Sequence, residues 1–185
     1  MIAEAPINYR FSVTQYHQLG ESGILPADAR LELIEGRLIE MAPMGSWHAY
    51  VVNQLTKMFI IELNDRAFVS IQSPLILGDH SEPEPDIALL RPPANRYRDA
   101  LPSPTDVLLL IEVADSTARY DHQTKVPLYA AHGIPEVWVV ERDPGWVSVY
   151  RGPLAEQRRY QEERRVTGGS LSPGAFADIQ VVLEI

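Results

Sequence analysis

Apolar residues along this chain follow two periods, one suited to strands and one to helices. The longest apolar run, residues 107–111, consists of valine, leucine and isoleucine without a polar interruption, which predicts a strand covered on both faces. Glu136 to Glu141, with Trp138 as a large packing residue, reads as a second core strand. Between them the pattern predicts a helix reaching about His132, with Gly133 as its C-cap. Pro127 lies inside that span and implies either a start later than Asp121 or a kink.

Upstream, Ser12 and Gln15 have capping-box spacing, so a helix begins near residue 12 and ends near Gly20 or Gly23. Leu31 to Ile34 and Arg37 to Met41 flank Glu35-Gly36, a two-residue hairpin turn. Pro43 to Gly45 break that pattern. Ser46 is then placed to cap a helix running to about Asn64, with Val51, Val52, Leu55, Met58, Phe59 and Leu63 as its apolar stripe. Phe68 to Leu77 is strand-like, Gly78 to Ser81 is a turn, and Asp86 stands at the mouth of a short apolar strand, Ile87 to Leu90. Residues 91–105 hold four prolines and three arginines and read as a surface loop. Asp143-Pro144-Gly145 turns the chain into an antiparallel partner at Trp146 to Tyr150, and Phe176 to Ile185 closes the core as a strand or short helix.

At 185 residues the chain is expected to form one domain, 1–185. No stretch approaches the ~20 apolar residues that span a bilayer. The first residues lack a basic segment followed by an apolar one, so a cytoplasmic protein is expected. With no cysteine, any metal is left to oxygen or imidazole ligands, which favour Mg²⁺, Mn²⁺ or Ca²⁺. A net charge of −9 argues against holding nucleic acid by charge alone. It does not exclude an enzyme that gathers carboxylates around a cation. Of the 16 basic residues only Lys57 and Lys125 are lysines, so a lysine marks a place for a compact point charge.

Candidate chemistry concentrates on Asp86, Glu112 and Lys125. A carboxylate ending an apolar strand needs water, a cation or a proton, because a buried unpaired charge costs several kcal/mol. Two acids at the ends of adjacent strands can hold one hard divalent cation, with an ammonium nearby to steady phosphate charge or orient a water. The bland alternative makes Asp86 a turn cap, Glu112 a strand end and Lys125 a solvated helix residue. Asp121, Lys125 and Tyr129 share one helix face by their i, i+4 spacing. Glu32 lies on the face of Ile34 and Ile39, either at a wet sheet edge or at a site. His48, in the first turn of its helix, is either a packing residue or a contact to phosphate or metal-bound water. The chain has no nucleophile elbow, phosphate-binding glycine loop or His-Glu-x-x-His sequence. Arg151, Arg158, Arg159, Arg164 and Arg165 make the C-terminal third its basic part.

Taken together, Glu-Leu-Ile-Glu-Gly at 32–36, His48 opening a helix, Glu-Pro-Asp-Ile at 84–87, Ile-Glu-Val at 111–113 and the spaced Asp, Lys, Tyr-Ala, Gly-Ile-Pro-Glu and Trp of 121–138 resemble the Uma-two family of putative restriction endonucleases. The resemblance covers about residues 9–183 and places the chain in the PD-(D/E)xK nuclease superfamily. It implies a mixed α/β fold, a restriction-endonuclease-like β-sheet flanked by helices, that hydrolyses DNA phosphodiesters with Mg²⁺ or Mn²⁺. Residue by residue it implies Asp86 and Glu112 as metal-binding acids, the carbonyl of Val113 facing the metal, and Glu32, His48 and Tyr129 in support. The superfamily lysine two residues after the second acid is replaced here by Ala114, so Lys125 is expected to supply it from the next helix. Ala-Asp-Ser-Thr at 114–117 stands where family members often read Ser-Pro-Ser-Thr, adding Asp115 near the proposed metal. Cutting both strands favours a homodimer. Two other readings stay open: a silent nuclease fold that binds nucleic acid or a protein, and a hydrolase of small phosphoesters.

Overall fold

The fully apolar runs form the middle of a sheet, and the striped ones form the helices that cover it. The computed structural model describes residues 8–26 and 28–182. In chain order these give α1 (Val13–Glu21), β1 (Leu31–Ile34), β2 (Arg37–Glu40), α2 (Ser46–Leu63), β3 (Phe68–Ile71), β4 (Ile87–Leu90) and β5 (Val107–Ala114). There follow α3 (Ala118–Tyr120), a π turn (Asp121–Lys125), α4 (Val126–Ala131), β6 (Glu136–Glu141), β7 (Trp146–Leu154), β8 (Arg159–Val166), β9 (Ser170–Leu171) and β10 (Val181–Val182).

Six strands make one sheet in the order β3-β4-β5-β6-β7-β8. Only β5 and β6 are parallel within it, and α3, the π turn and α4 form their crossover. Alternation along β4 and β5 divides the core. Ile87, Leu89, Leu109 and Ile111 pack beneath Val51, Leu55, Phe59 and Leu63 of α2. Ala88, Leu90 and Leu110 face Val126, Leu128 and Tyr129 of α4. Both faces are thus covered, which is why β5 carries no polar residue before Glu112. No helix among the described residues is long and apolar enough to cross a membrane.

The hairpin β1–β2 stands apart from the six-stranded sheet. Glu35 and Gly36, with φ of 50° and 80°, form the expected tight turn. The hairpin is tied down by a backbone bridge between Leu33 and Glu82, and by the amide of Gly36, which donates to the carbonyl of His80 at 2.6 Å.

Several boundaries differ from the sequence reading. The capping box of Ser12 and Gln15 forms, but α2 begins at Ser46 with Gly45 as N-cap and no side-chain cap. The strand expected over Phe68 to Leu77 stops at Ile71, because Gln72 takes a φ of 44° and turns the chain away from the sheet. Leu75 and Leu77 still join the core beside α4, so their apolar character reflects packing without strand pairing. Around Pro127 the helix is disturbed without ending: a wider π turn over Asp121–Lys125 precedes it, and regular α geometry resumes at Val126, so Pro127 falls in the first turn of α4, where its missing N–H and bulky ring are tolerated. Strand β8, absent from the sequence reading, is charged on most positions, as suits a sheet edge. The arginines of the C-terminal third lie largely on it. Phe176 to Ile185 yields the short β10, paired with β9; residues 183–185 lie outside the described residues.

Candidate active site

Strand pairing brings the two acids together. Ile87 of β4 pairs with Ile111 of β5, so Asp86, one residue before, and Glu112, one residue after, stand at the same end of neighbouring antiparallel strands. Both line a pocket of about 370 Å³, whose wall also includes Glu32, His48, Arg30 and Lys125. By strand alternation Glu112 points to the α4 side, the same side as Leu110.

Asp86 is held at both oxygens. Its Oδ2 accepts from the backbone N–H of Val113 at 2.8 Å. Its Oδ1 accepts from Gln72 Nε2 at 3.2 Å and lies 2.9 Å from His48 Nε2. Glu112, 3% exposed, accepts from the Tyr129 hydroxyl at 2.5 Å. Lys125 Nζ lies 3.3 Å from both of its oxygens, well within the ~4–6 Å of strong charge coupling. The same ammonium donates to Glu32 Oε1 at 2.8 Å. Glu32 is only 2% exposed, so the water-facing reading of that residue is overturned: the hairpin folds over the sheet and buries it. Glu32 Oε2 is buried and has no hydrogen-bond partner among the described residues.

These groups sit in the right places for specific local reasons. Asp121, also buried, accepts from Thr117 Oγ1 at 2.7 Å and so fixes the start of the π turn. The turn is closed by Val126 N–H donating to the carbonyl of Asp121, five residues back instead of four. It sets Lys125 and Tyr129 on one stripe, both against Glu112.

The electrostatics are lopsided. Burial holds Glu112 well above the usual carboxylate range; Lys125 opposes this, while Asp121, Asp86 and Glu32 add to it. Burial alone would lower Lys125, but Glu112, Glu32 and Asp121 overcome it and raise its pKa, so the ammonium stays charged. Burial and then Glu32 raise Glu84, and burial and then Glu32 push Tyr120 up to about 12. Acidic side chains outnumber Arg30 and Lys125 along the wall. A site with more carboxylates than it can keep ionised is one that a cation relieves.

Among the described residues no three His, Asp or Glu side chains form a ready-made ligand set. A cation here would rest on two carboxylates and take its other ligands from water and phosphate, a manner of binding that suits Mg²⁺. The hydrogen bonds found leave Asp86 Oδ2 and Glu112 Oε2 each with a lone pair. Together with the orphaned Glu32 oxygen and the surplus of acids, this donor set fits such a cation. Val113 lines the pocket, and its amide is already committed to Asp86.

All six side chains singled out from the sequence, Asp86, Glu112, Lys125, Glu32, His48 and Tyr129, converge on this one place. The sequence reading missed Gln72, Glu84 and Tyr120. Gln72 was hidden inside an expected strand; nothing local in the sequence signals its positive φ. Glu84 stands inside the Glu-Pro-Glu-Pro-Asp stretch and was legible as a second acid two residues from Asp86.

Known proteins resemble this chain in sequence family and in fold. The family profile described as Uma2, putative restriction endonuclease, matches residues 13–184. A crystal structure of a putative nuclease belonging to DUF820 from Anabaena variabilis is similar in fold, with a TM-score of 0.66 and 18% identity over 89% of this chain and 93% of that one. No curated protein matches the chain.

Proposed function

Because the chain belongs to the Uma2 family of putative restriction endonucleases, we propose that it hydrolyses phosphodiester bonds of DNA with Mg²⁺ or Mn²⁺ held by Asp86 and Glu112. The observation that carries this reading is the convergence of two strand-end acids and a buried charged lysine 3.3 Å from one of them, in a pocket with a surplus of negative charge.

Each residue has a task that follows from its contacts. The Val113 amide, Gln72 and His48 fix the carboxylate of Asp86, so little reorganisation is left for binding. Tyr129 fixes that of Glu112. When bound, the cation supplies Lewis acidity, polarising a phosphate oxygen and acidifying a water. Lys125, kept charged by Glu32 and Glu112, offers a positive charge to the phosphate as negative charge develops on it. Glu32 holds the same ammonium at 2.8 Å. Cutting both strands of a duplex would take two copies acting together, which favours a homodimer as the active form.

Supercoiled plasmid incubated with the protein and Mg²⁺ is expected to be nicked or linearised, and EDTA to stop the reaction. Asp86→Asn is expected to lower the rate at least ~100-fold with the fold retained by circular dichroism. Unchanged cleavage by that variant would overturn the assignment.

A silent protein of the same fold is the second reading. It is favoured by the internal hydrogen bonds that already engage both acids. Titration with Mn²⁺ by calorimetry separates the two, since the enzyme reading requires binding that Glu112→Gln weakens.

A further inference from the structure

Behind the π turn, on the side away from the pocket, lies a second polar cluster that the proposed chemistry does not use. His122 is the second residue of the turn. Its Nε2 lies 2.9 Å from Glu141 Oε1 at the end of β6, and its Nδ1 lies 2.7 Å from the Tyr150 hydroxyl on β7. The same Glu141 oxygen also accepts from Trp146 Nε1 at 2.7 Å and from Ser148 Oγ at 3.0 Å. Glu141 and Tyr150 are both 6% exposed, and Glu141 pairs with Trp146 across the β6–β7 ladder. The imidazole therefore bolts the helix to two strands of the sheet.

We infer that His122 is a positioning residue for Lys125, holding the π turn open so that the ammonium reaches Glu112 and Glu32. This rests on the nuclease reading only for its effect on rate. A π turn amounts to one extra residue in a helix and makes poorer hydrogen bonds than an α turn, so it persists only where its surroundings hold it. At the front it is held by Thr117 on Asp121 and by Lys125 on its acids. At the back it is held by His122. If the turn closed to regular α geometry, the residues beyond it would advance by one position, ~100° around the axis. The stripe that carries Lys125 and Tyr129 would then turn away from Glu112. Both ring nitrogens of His122 are thus engaged, one by each strand.

The two lysines of the chain make a direct test available. In the full-length protein carrying Lys57→Arg, an exposed position of α2, Lys125 is the remaining lysine, and ¹⁵N-lysine labelling reports on it alone. Its ammonium resonance is expected to be protected from water in this background. His122→Phe, which keeps the bulk and removes both hydrogen bonds, is expected to shift that resonance and expose it to exchange. The same change is expected to lower kcat for DNA cleavage about 10- to 100-fold with KM little changed. His122→Gln, which retains a donor for Glu141, is expected to restore part of both.

A network that merely stabilised the fold would lower Tm and leave the Lys125 signal in place. A folded His122→Phe protein with an unmoved Lys125 resonance therefore overturns the inference. If that variant does not fold, Tyr150→Phe removes one of the two bonds and is read by the same signal, with the same outcome overturning it. A shifted Lys125 signal in a protein that cuts no DNA leaves the positioning role standing and removes the nuclease reading.

Discussion

At the scale of single residues, Lys125 decides the site. It lies between Glu32 and Glu112 and is only 5% exposed. Removing one member of such a buried set leaves uncompensated charge, which typically costs ~3–5 kcal/mol. Lys125→Met is expected to lose stability on that scale in urea unfolding, and Glu112→Gln added to it is expected to restore part. The pH dependence has a definite sign. Burial and the neighbouring acids raise Glu112, with Lys125 opposing them, so Lys125→Met raises it further. A carboxyl raised in the folded state gives its full stability below its unfolded pKa of ~4.3 and loses it as pH rises through the folded value. The variant is therefore expected to lie closest to its parent in acid and furthest below it at neutral pH. Asp86 and Glu112 were legible because charged residues next to apolar runs demand an explanation, and Lys125 because lysine is scarce in the chain and the family resemblance points to it. The burial of Glu32 was not legible, since alternation says which side of a hairpin a residue takes and not what lands on it. Gln72 left no trace, because a neutral amide carries no charge to explain.

At the scale of elements, the hairpin turn is as constrained as the acids. Gly36 has a φ of 80°, and a Cβ there would meet the Cβ of Arg10 at 2.6 Å and its Cα at 2.8 Å. Gly36→Ala is expected to cost ~1–3 kcal/mol and to reduce cleavage as well, since β1 carries Glu32; thermal melts and plasmid nicking check both. This turn was readable because Glu-Gly between two apolar runs has few other uses. The π turn was not: Pro127 announced a disturbance, but the form of it depends on His122 and Lys125 finding partners far away in sequence. Strand β8 escaped notice for a related reason, since an edge strand covered in charge has no alternation to read.

Over the whole molecule, the central strands, their covering helices and the grouping of six functional candidates were legible, and the margins of the sheet were not. Charge sets the terms on which the molecule meets DNA. With 25 acidic and 16 basic residues, it gains little from counterion release by lysine and arginine alone. DNA binding is expected to require Mg²⁺ or Ca²⁺ and to be lost in EDTA, with fluorescence anisotropy of a labelled duplex as the measurement; equal binding without divalent cations would count against a metal-bridged phosphate.

The separateness of the β1–β2 hairpin has a consequence for motion. One wall of the pocket belongs to a piece joined to the rest outside the six-stranded sheet, by the backbone bridge at Leu33 and Glu82, by single hydrogen bonds such as those of Gly36 with His80 and Phe11 and of Glu35 with Ser81, and by the buried Lys125–Glu32 pair, whereas β5 is laddered on both sides. Such a piece opens at a lower free energy than the sheet it covers. The amides of residues 31–40 are expected to exchange with deuterium as one group and well before those of β5 and β6, and Lys125→Met to quicken that group selectively. The lysine then serves as a clasp as well as a charge, closing the wall over whatever the acids hold.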